Sequence, residues 1–155
     1  MHIDKMDIRP SSADNPDAAP LLYELSKTLA VITGDSGANS FDPADVDVPG
    51  ALFVIAYDDE QMAVGCGAYR PLRDGVAELK RMFALPGSKG VGISILKFLE
   101  KAAAEYGYRE LWLETRIVNE RAVSFYQKHD YRRIPNFGKY VGRPEAICFA
   151  KRVSG

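Results

Sequence analysis

The residues Gly87-Ser88-Lys89-Gly90-Val91-Gly92 carry the clearest chemistry in the chain. Glycines spaced around a lysine let the backbone approach an anion closely, and the lysine can pair with a phosphate oxygen. A helix beginning at this point adds unpaired N–H donors and a partial positive charge. The stretch matches neither G-x-x-x-x-G-K-[ST] nor G-x-G-x-x-G, because no third glycine follows at the required place. Alone, Gly90-Val91-Gly92 is a weak signal.

The flanking pattern strengthens it. Residues 76–85 alternate as a strand bounded by Asp74-Gly75 and Pro86. After the turn, Ile95, Leu99, Ala102, Ala103 and Tyr106 recur at helical spacing until Gly107 stops the run. Strand, glycine turn and helix together form a phosphate-presenting unit. Around it the sequence predicts an edge strand over 2–9, a helix over 19–30 with Leu22, Leu25 and Leu29 on one face, and a loop or broken helix over 34–49. A hairpin follows, with strands 51–57 and 62–69 joined by a turn over 58–61, and residues 70–75 turn into the strand that begins at 76. Gly65 and Gly67 on its second strand point to a bulge or a close neighbour. Residues 110–115 form a strand with Leu111, Leu113 and Thr115 on one face and Trp112 and Glu114 on the other. A helix over 119–128, a strand from Tyr131, a loop over 135–142 and a last strand over 146–152 complete the chain. Hairpins first and strand–helix–strand later imply a mixed α/β sheet with helices on both faces.

Composition narrows the function classes. The 155 residues, with net charge −1 and no basic patch, fit one domain over 1–155 with no nucleic-acid partner. Cys66 and Cys148 sit in separate apolar runs, which reads as two buried thiols in a reducing compartment rather than a disulfide or a zinc site. The first ten residues carry charges throughout, unlike a signal peptide, and no apolar run approaches membrane-spanning length. The expectation is a cytoplasmic chain with no membrane partner and no metal.

At this point the chain resembles the GNAT superfamily of acetyl-CoA-dependent N-acetyltransferases, in the manner of its small bacterial members. The likeness covers roughly residues 50–152. It rests on Ala77-Glu78-Leu79-Lys80-Arg81-Met82-Phe83 as the family's fourth strand and on Lys89-Gly90-Val91-Gly92 as the second half of its [RQ]-x-x-G-x-[GA] signature. Leu113-Glu114-Thr115, then Asn119, Ala122, Tyr126 and Tyr131, resemble the strand and helix that finish the cofactor site. The tail, from Ile134 through Tyr140 and then Ile147-Cys148-Phe149, matches one branch. The departures are Gly87 in place of Arg or Gln, a turn after Pro86 shorter by about two residues, and Asp130 in place of the usual glycine.

The resemblance implies a mixed, mostly antiparallel central sheet of six to seven strands with helices on both faces. It also implies direct transfer of acetyl from acetyl-CoA, as co-substrate, to a primary amine of a small molecule or peptide. Lys89, Gly90, Val91, Gly92 and Ile93 would cradle the pyrophosphate, and Met82, Phe83 and Ala84 would pair with the pantetheine arm through main-chain groups. Asn119 would bond the pantetheine amides, Tyr126 would protonate the departing thiolate, and Glu78 is the candidate base, directly or through water. Each has a structural alternative. Tyr126 lies on an apolar helix face as core residues do, Glu78 has Lys80 and Arg81 within ion-pair reach, and Lys89 is a loop lysine. In this fold the 34–47 segment borders the acceptor cleft, so Asp35, Asp42, Asp45 and Asp47 are candidates for attracting a cationic amine.

Two other functions stay open at this stage. One is a non-catalytic CoA- or ligand-binding sensor on the same fold, which the missing Arg or Gln at Gly87 favours and Tyr126 and Glu78 oppose. The other is a nucleotide- or phosphosugar-binding enzyme, disfavoured by the absence of a P-loop Ser/Thr and of a Rossmann arrangement. A homodimer is compatible with the sequence, which sets neither the oligomeric state nor the acceptor.

Overall fold

The computed structural model describes residues 6–37 and 41–154. Strands β1 (Asp7–Ser11), β2 (Leu52–Tyr57), β3 (Ala63–Arg73), β4 (Val76–Ala84), β5 (Glu110–Arg116), β6 (Arg132–Ile134) and β7 (Ala146–Arg152) form one sheet. Their order is β1-β2-β3-β4-β5-β7-β6. Helix α1 (Ala18–Thr33) packs on one face, and α2 (Val91–Tyr106) and α3 (Glu120–Lys128) pack on the other. The pairings are antiparallel except β4 with β5, which the α2 crossover makes parallel. This is the mixed, mostly antiparallel α/β sheet expected from the sequence.

The α2 face is the larger core. Ile95, Leu96, Leu99 and Ala103 of α2 are buried against Val54, Leu79, Leu111 and Leu113. The helix lies so close because Gly65 and Gly67 of β3 present no side chain. A Cβ at Gly65 would stand 2.6 Å from the Val91 side chain, and one at Gly67 would stand 2.8 Å from that of Ile95. Gly107 closes α2 at φ 118°, its N–H bonding the Ala103 carbonyl. On the opposite face, Ala18 and Leu21 of α1 meet Phe53, Ile55 and Cys66. Both cysteines are free and buried, and burial pushes the Cys66 thiol up to about 12.

Several boundaries differ from the sequence reading. The edge strand is Asp7–Ser11 rather than 2–9, and positions 2–5 lie outside the described residues. Helix α1 runs to Thr33, ended by Gly34 at φ 80°. Strand β3 continues through the expected turn to Arg73, because a register shift between Pro71 and Arg73 accommodates the proline. The sixth strand starts at Arg132, and a short 3-10 turn, Pro43–Val46, interrupts the loop after α1.

The alternation expected along β4 fails at one place. Cys66 pairs with Phe83 and Ala68 with Lys80, so two residues of β4, Arg81 and Met82, oppose Gly67 alone. Arg81 takes the extra position at φ 53°, a left-handed conformation. Glu78 and Lys80 precede this bulge and face α1. After it, Met82 faces α2 and Phe83 faces α1.

Candidate active site

The central feature is where β4 and β5 part. They pair at Val76–Glu110, Ala77–Leu111 and Glu78–Trp112, and no further. Strand β5 stays in place because β7 pairs with its whole length, from Glu110–Arg152 to Arg116–Ala146. Strand β4 instead follows β3 to Ala84, so from Leu79 onward its β5-facing main-chain groups have no strand partner. A cavity of about 180 Å³ occupies the gap. Leu79, Leu113, Ala122 and Tyr126 line it from the α2–α3 side, and Leu25, Leu29, Glu78, Lys80 and Tyr140 from the α1 side. The cavity runs through the sheet.

Among the residues singled out in the sequence, Glu78, Met82, Asn119 and Tyr126 line this one cavity. Tyr126 is 7 % exposed, held edge-on by Phe125 and Tyr131. Among the described residues its hydroxyl has no hydrogen-bond partner, and burial raises its pKa, so it remains a neutral phenol. Asn119 caps α3, its Oδ1 accepting the Ala122 N–H at 3.3 Å, while its amide group also borders the cavity. Phe83 packs beneath the α1 face with Cys66, and Ala84 pairs with Gly65 at the end of β4.

The turn residues stand apart from that cavity. Gly87, Ser88, Lys89 and Val91 line a separate groove with Met6, Asp58, Asp59 and Val64. Gly87 and Gly90 adopt φ 84° and 74° with open space where a Cβ would stand, so backbone conformation alone requires glycine there. Gly90 is the N-cap of α2 and provides no side-chain cap. The first intrahelical bond runs from Ser94 N–H to the Gly90 carbonyl, which leaves the N–H groups of Val91, Gly92 and Ile93 without helical acceptors. Gly92 lies under the Phe125 ring, whose atoms would be 3.6 Å from a Cβ. The neighbouring Asp58 is engaged by the N–H groups of Glu60 and Met62 at 2.9 and 3.0 Å. These open donors, the Lys89 cation and the unpaired stretch of β4 fit an extended diphosphate-bearing molecule with an amide arm.

Glu78 is 1 % exposed and fully engaged. Arg70 Nη2 lies 2.7 Å from Oε1, and the Tyr140 hydroxyl donates to Oε2 at 3.0 Å. Lys80 Nζ stands 3.8 Å from Oε2 and donates to the Tyr140 oxygen at 3.4 Å. The ion pair with Lys80 considered from the sequence is thus present, and the closer partner is Arg70. Burial lowers the Lys80 pKa despite the Glu78 charge.

Sequence reasoning assigned no role to Glu114. Its side chain is largely buried, its Oε2 has no hydrogen-bond partner among the described residues, and Arg116 Nε is 3.6 Å away. Burial raises its pKa, outweighing the attraction of Arg116 and Lys80. A carboxylate shifted upward in a cleft is suited to accepting a proton. The available signal was strand alternation, which put Glu114 on the face away from Leu113 and in the strand beside Glu78. Of the acidic 34–47 segment, Asp35 lines the cavity and pairs with Arg116 at 3.4 Å. Asp42 instead caps the 3-10 turn by accepting the Ala44 N–H.

A sheet split after its fourth strand, with an uncapped glycine turn feeding the next helix, is the arrangement of the GNAT acetyltransferases. The sequence profile of the Acetyltransferase (GNAT) family matches residues 20–131, and the chain belongs to that family. It is similar to YjcF, an uncharacterized N-acetyltransferase of Bacillus subtilis, with 42 % identity over 81 residues. That match spans 51 % of this chain and about half, 54 %, of YjcF. YjgM of Escherichia coli, also an uncharacterized N-acetyltransferase, is 28 % identical over 133 residues, covering 78 % of each chain. The fold is shared with a GNAT family acetyltransferase from Elizabethkingia anophelis with acetyl-CoA bound, at TM-score 0.67 and 20 % identity over 95 % of this chain and 97 % of that one.

Proposed function

We propose that the protein transfers acetyl directly from acetyl-CoA to a primary amine of a small molecule or peptide. One observation carries this reading: the opening between β4 and β5 joins the two faces of the sheet, so Tyr126 and Glu114 border the same cavity. A thioester held along β4 from the α2 side and an amine entering from the α1 side meet there.

The chain's groups divide the work. The α2 N-terminus and Lys89 hold the diphosphate, and main-chain groups of Met82, Phe83 and Ala84 pair with the pantetheine amides, as does Asn119. A β4 N–H stabilises the oxyanion that forms when the amine nitrogen attacks the carbonyl carbon. Glu114 accepts the amine's proton. When the carbon–sulfur bond breaks, the Tyr126 hydroxyl donates its proton to the thiolate, and the proton taken by Glu114 restores the phenol through solvent. Glu78, the base expected from the sequence, would act only through water or by giving up its Tyr140 hydrogen bond, because both its oxygens are engaged. We therefore assign it to holding the acceptor side of the cavity.

A thiol-release screen of acetyl-CoA and longer acyl-CoAs against an amine library tests the proposal. Thiol released with a definite amine supports it. A chain that binds acetyl-CoA and consumes none with any amine is a binding module, and the proposal falls.

A further inference from the structure

The bulge in β4 places two cations side by side on the α1 face, and they are not equivalent. Lys80 is joined to Glu78 and Tyr140. Arg81 has no carboxylate within ion-pair distance among the described residues. Its Nη2 donates to Ser26 Oγ at 2.5 Å and to the Leu22 carbonyl at 3.5 Å, and its guanidinium stands 5.4 Å from the Phe41 ring centre. Its Nε is buried without a hydrogen-bond partner among the described residues, although Arg81 lines the cavity. The other arginines near the site are satisfied: Arg70 by Glu78 at 2.7 Å, and Arg116 by Glu145 and Asp35 at 3.2 and 3.4 Å.

A partly buried guanidinium without a counter-ion is costly, and a site that keeps one gains most from an anion arriving with the ligand. Burial accordingly lowers the Arg81 pKa, and no carboxylate offsets it. The contacts with α1 and Phe41 put Arg81 on the acceptor side, away from the turn at the start of α2. The same cavity wall offers apolar Leu25 and Leu29 and the proton-accepting Glu114. Together these make a site with a cationic group, an apolar wall and an anionic group.

Resting on the transferase reading above, we propose that Arg81 receives a carboxylate of the acceptor, so that the amine acetylated belongs to an amino-acid-like molecule. Its planar guanidinium suits a carboxylate, and it lines the cavity with no acidic partner of its own among the described residues.

The test compares glycine, alanine, leucine and phenylalanine with methylamine, ethylamine, isopentylamine and phenethylamine in the thiol-release assay. It uses the wild-type chain, Arg81→Lys and Arg81→Asn, asparagine being chosen because it tolerates the positive φ at this position. The expected result is kcat/KM higher for the best amino acid than for its decarboxylated partner by roughly 10- to 100-fold, with the advantage lost through KM in Arg81→Asn and partly kept in Arg81→Lys. A second arm needs no turnover: thermal stabilisation of the full chain, in the presence of coenzyme A, by the N-acetyl derivatives of the same amino acids and amines. Only the acidic derivatives should stabilise the wild type, and none should stabilise Arg81→Asn. Decarboxylated amines that react as well as the amino acids, or acidic derivatives that bind no better than neutral ones, overturn the assignment even if neither variant folds. Acid-selective binding without thiol release removes the transferase reading and leaves the anion site standing.

Discussion

The Tyr140 hydroxyl donates to Oε2 of Glu78 across 3.0 Å, tying the loop before β7 to the last residue of β4 that pairs with β5. That carboxylate also holds Arg70. Tyr140→Phe removes the hydrogen bond to the Glu78 carboxylate together with the longer one accepted from Lys80 Nζ, and should cost about 1.5–3 kcal/mol in denaturant unfolding. Glu78→Ala, which strands Arg70, should cost more, toward the lower end of the roughly 3–5 kcal/mol for a broken buried pair, because Arg70 is 27 % exposed. A Glu78→Ala protein no less stable than Tyr140→Phe would contradict this ranking.

As the proposed base, Glu114 should tie activity to pH, and its burial ties stability to pH with a definite sign. Its folded pKa lies above the ordinary carboxylate value, so the native state binds a proton more readily than the unfolded chain. The stability this contributes is present below the unfolded value and is lost as pH rises through the folded one. At neutral pH the buried charge is therefore unfavourable. Glu114→Gln should raise the melting temperature near neutrality, with a difference that shrinks as pH falls through the carboxylate range. The same variant should lower kcat and abolish the acid limb of the pH–rate profile, which in the wild type should sit above the usual carboxylate range. An intact acid limb in the variant would assign the base elsewhere.

Tyr126→Phe separates chemistry from binding. The hydroxyl has no hydrogen-bond partner among the described residues and the ring supplies the packing. Stability should change little, acetyl-CoA affinity measured by calorimetry should stay within about twofold, and kcat should fall roughly 10²-fold or more, as for removal of a general acid. Unchanged turnover would take Tyr126 out of the acid role.

Two kinds of glycine should respond differently to alanine. At Gly65 a Cβ would meet the Phe83 carbonyl oxygen at 2.8 Å, a backbone atom that cannot step aside. Gly65→Ala should lose about 1–3 kcal/mol by overpacking, read from its denaturation midpoint. Gly90 has open space but φ 74°. Gly90→Ala should cost about 1–2 kcal/mol in backbone strain and, more tellingly, weaken acetyl-CoA binding by moving the donors of the α2 N-terminus.

How far the sequence could be read depended on whether a signal was local. The glycine turn, the helix stop at Gly107 and the alternation through Leu111 and Leu113 each act within a few residues, and each is found in place. Arg81 shows the limit. Gly65 and Gly67 point to a bulge or a close neighbour on their own strand, but the extra residue lies on β4 opposite Gly67, and alternation along β4 alone could not place it at Arg81. Glu114 likewise is placed only on the strand face it shares with Trp112, and nothing in its local pattern shows that it lines a cavity with Leu25, Leu29 and Tyr140. Tyr140 comes from a loop 62 positions beyond its Glu78 partner, and nothing between them in the chain announces the contact.

The opening through the sheet has a consequence for descent. Its two sides are lined by separate parts of the chain: Ala122 and Tyr126 of α3 on one, α1 with the loop carrying Tyr140 on the other. Natural variation in α1 and in the loop carrying Tyr140 can reshape one side of the opening while the side formed by α3 stays intact. A single scaffold can therefore acquire new clients without relearning its chemistry.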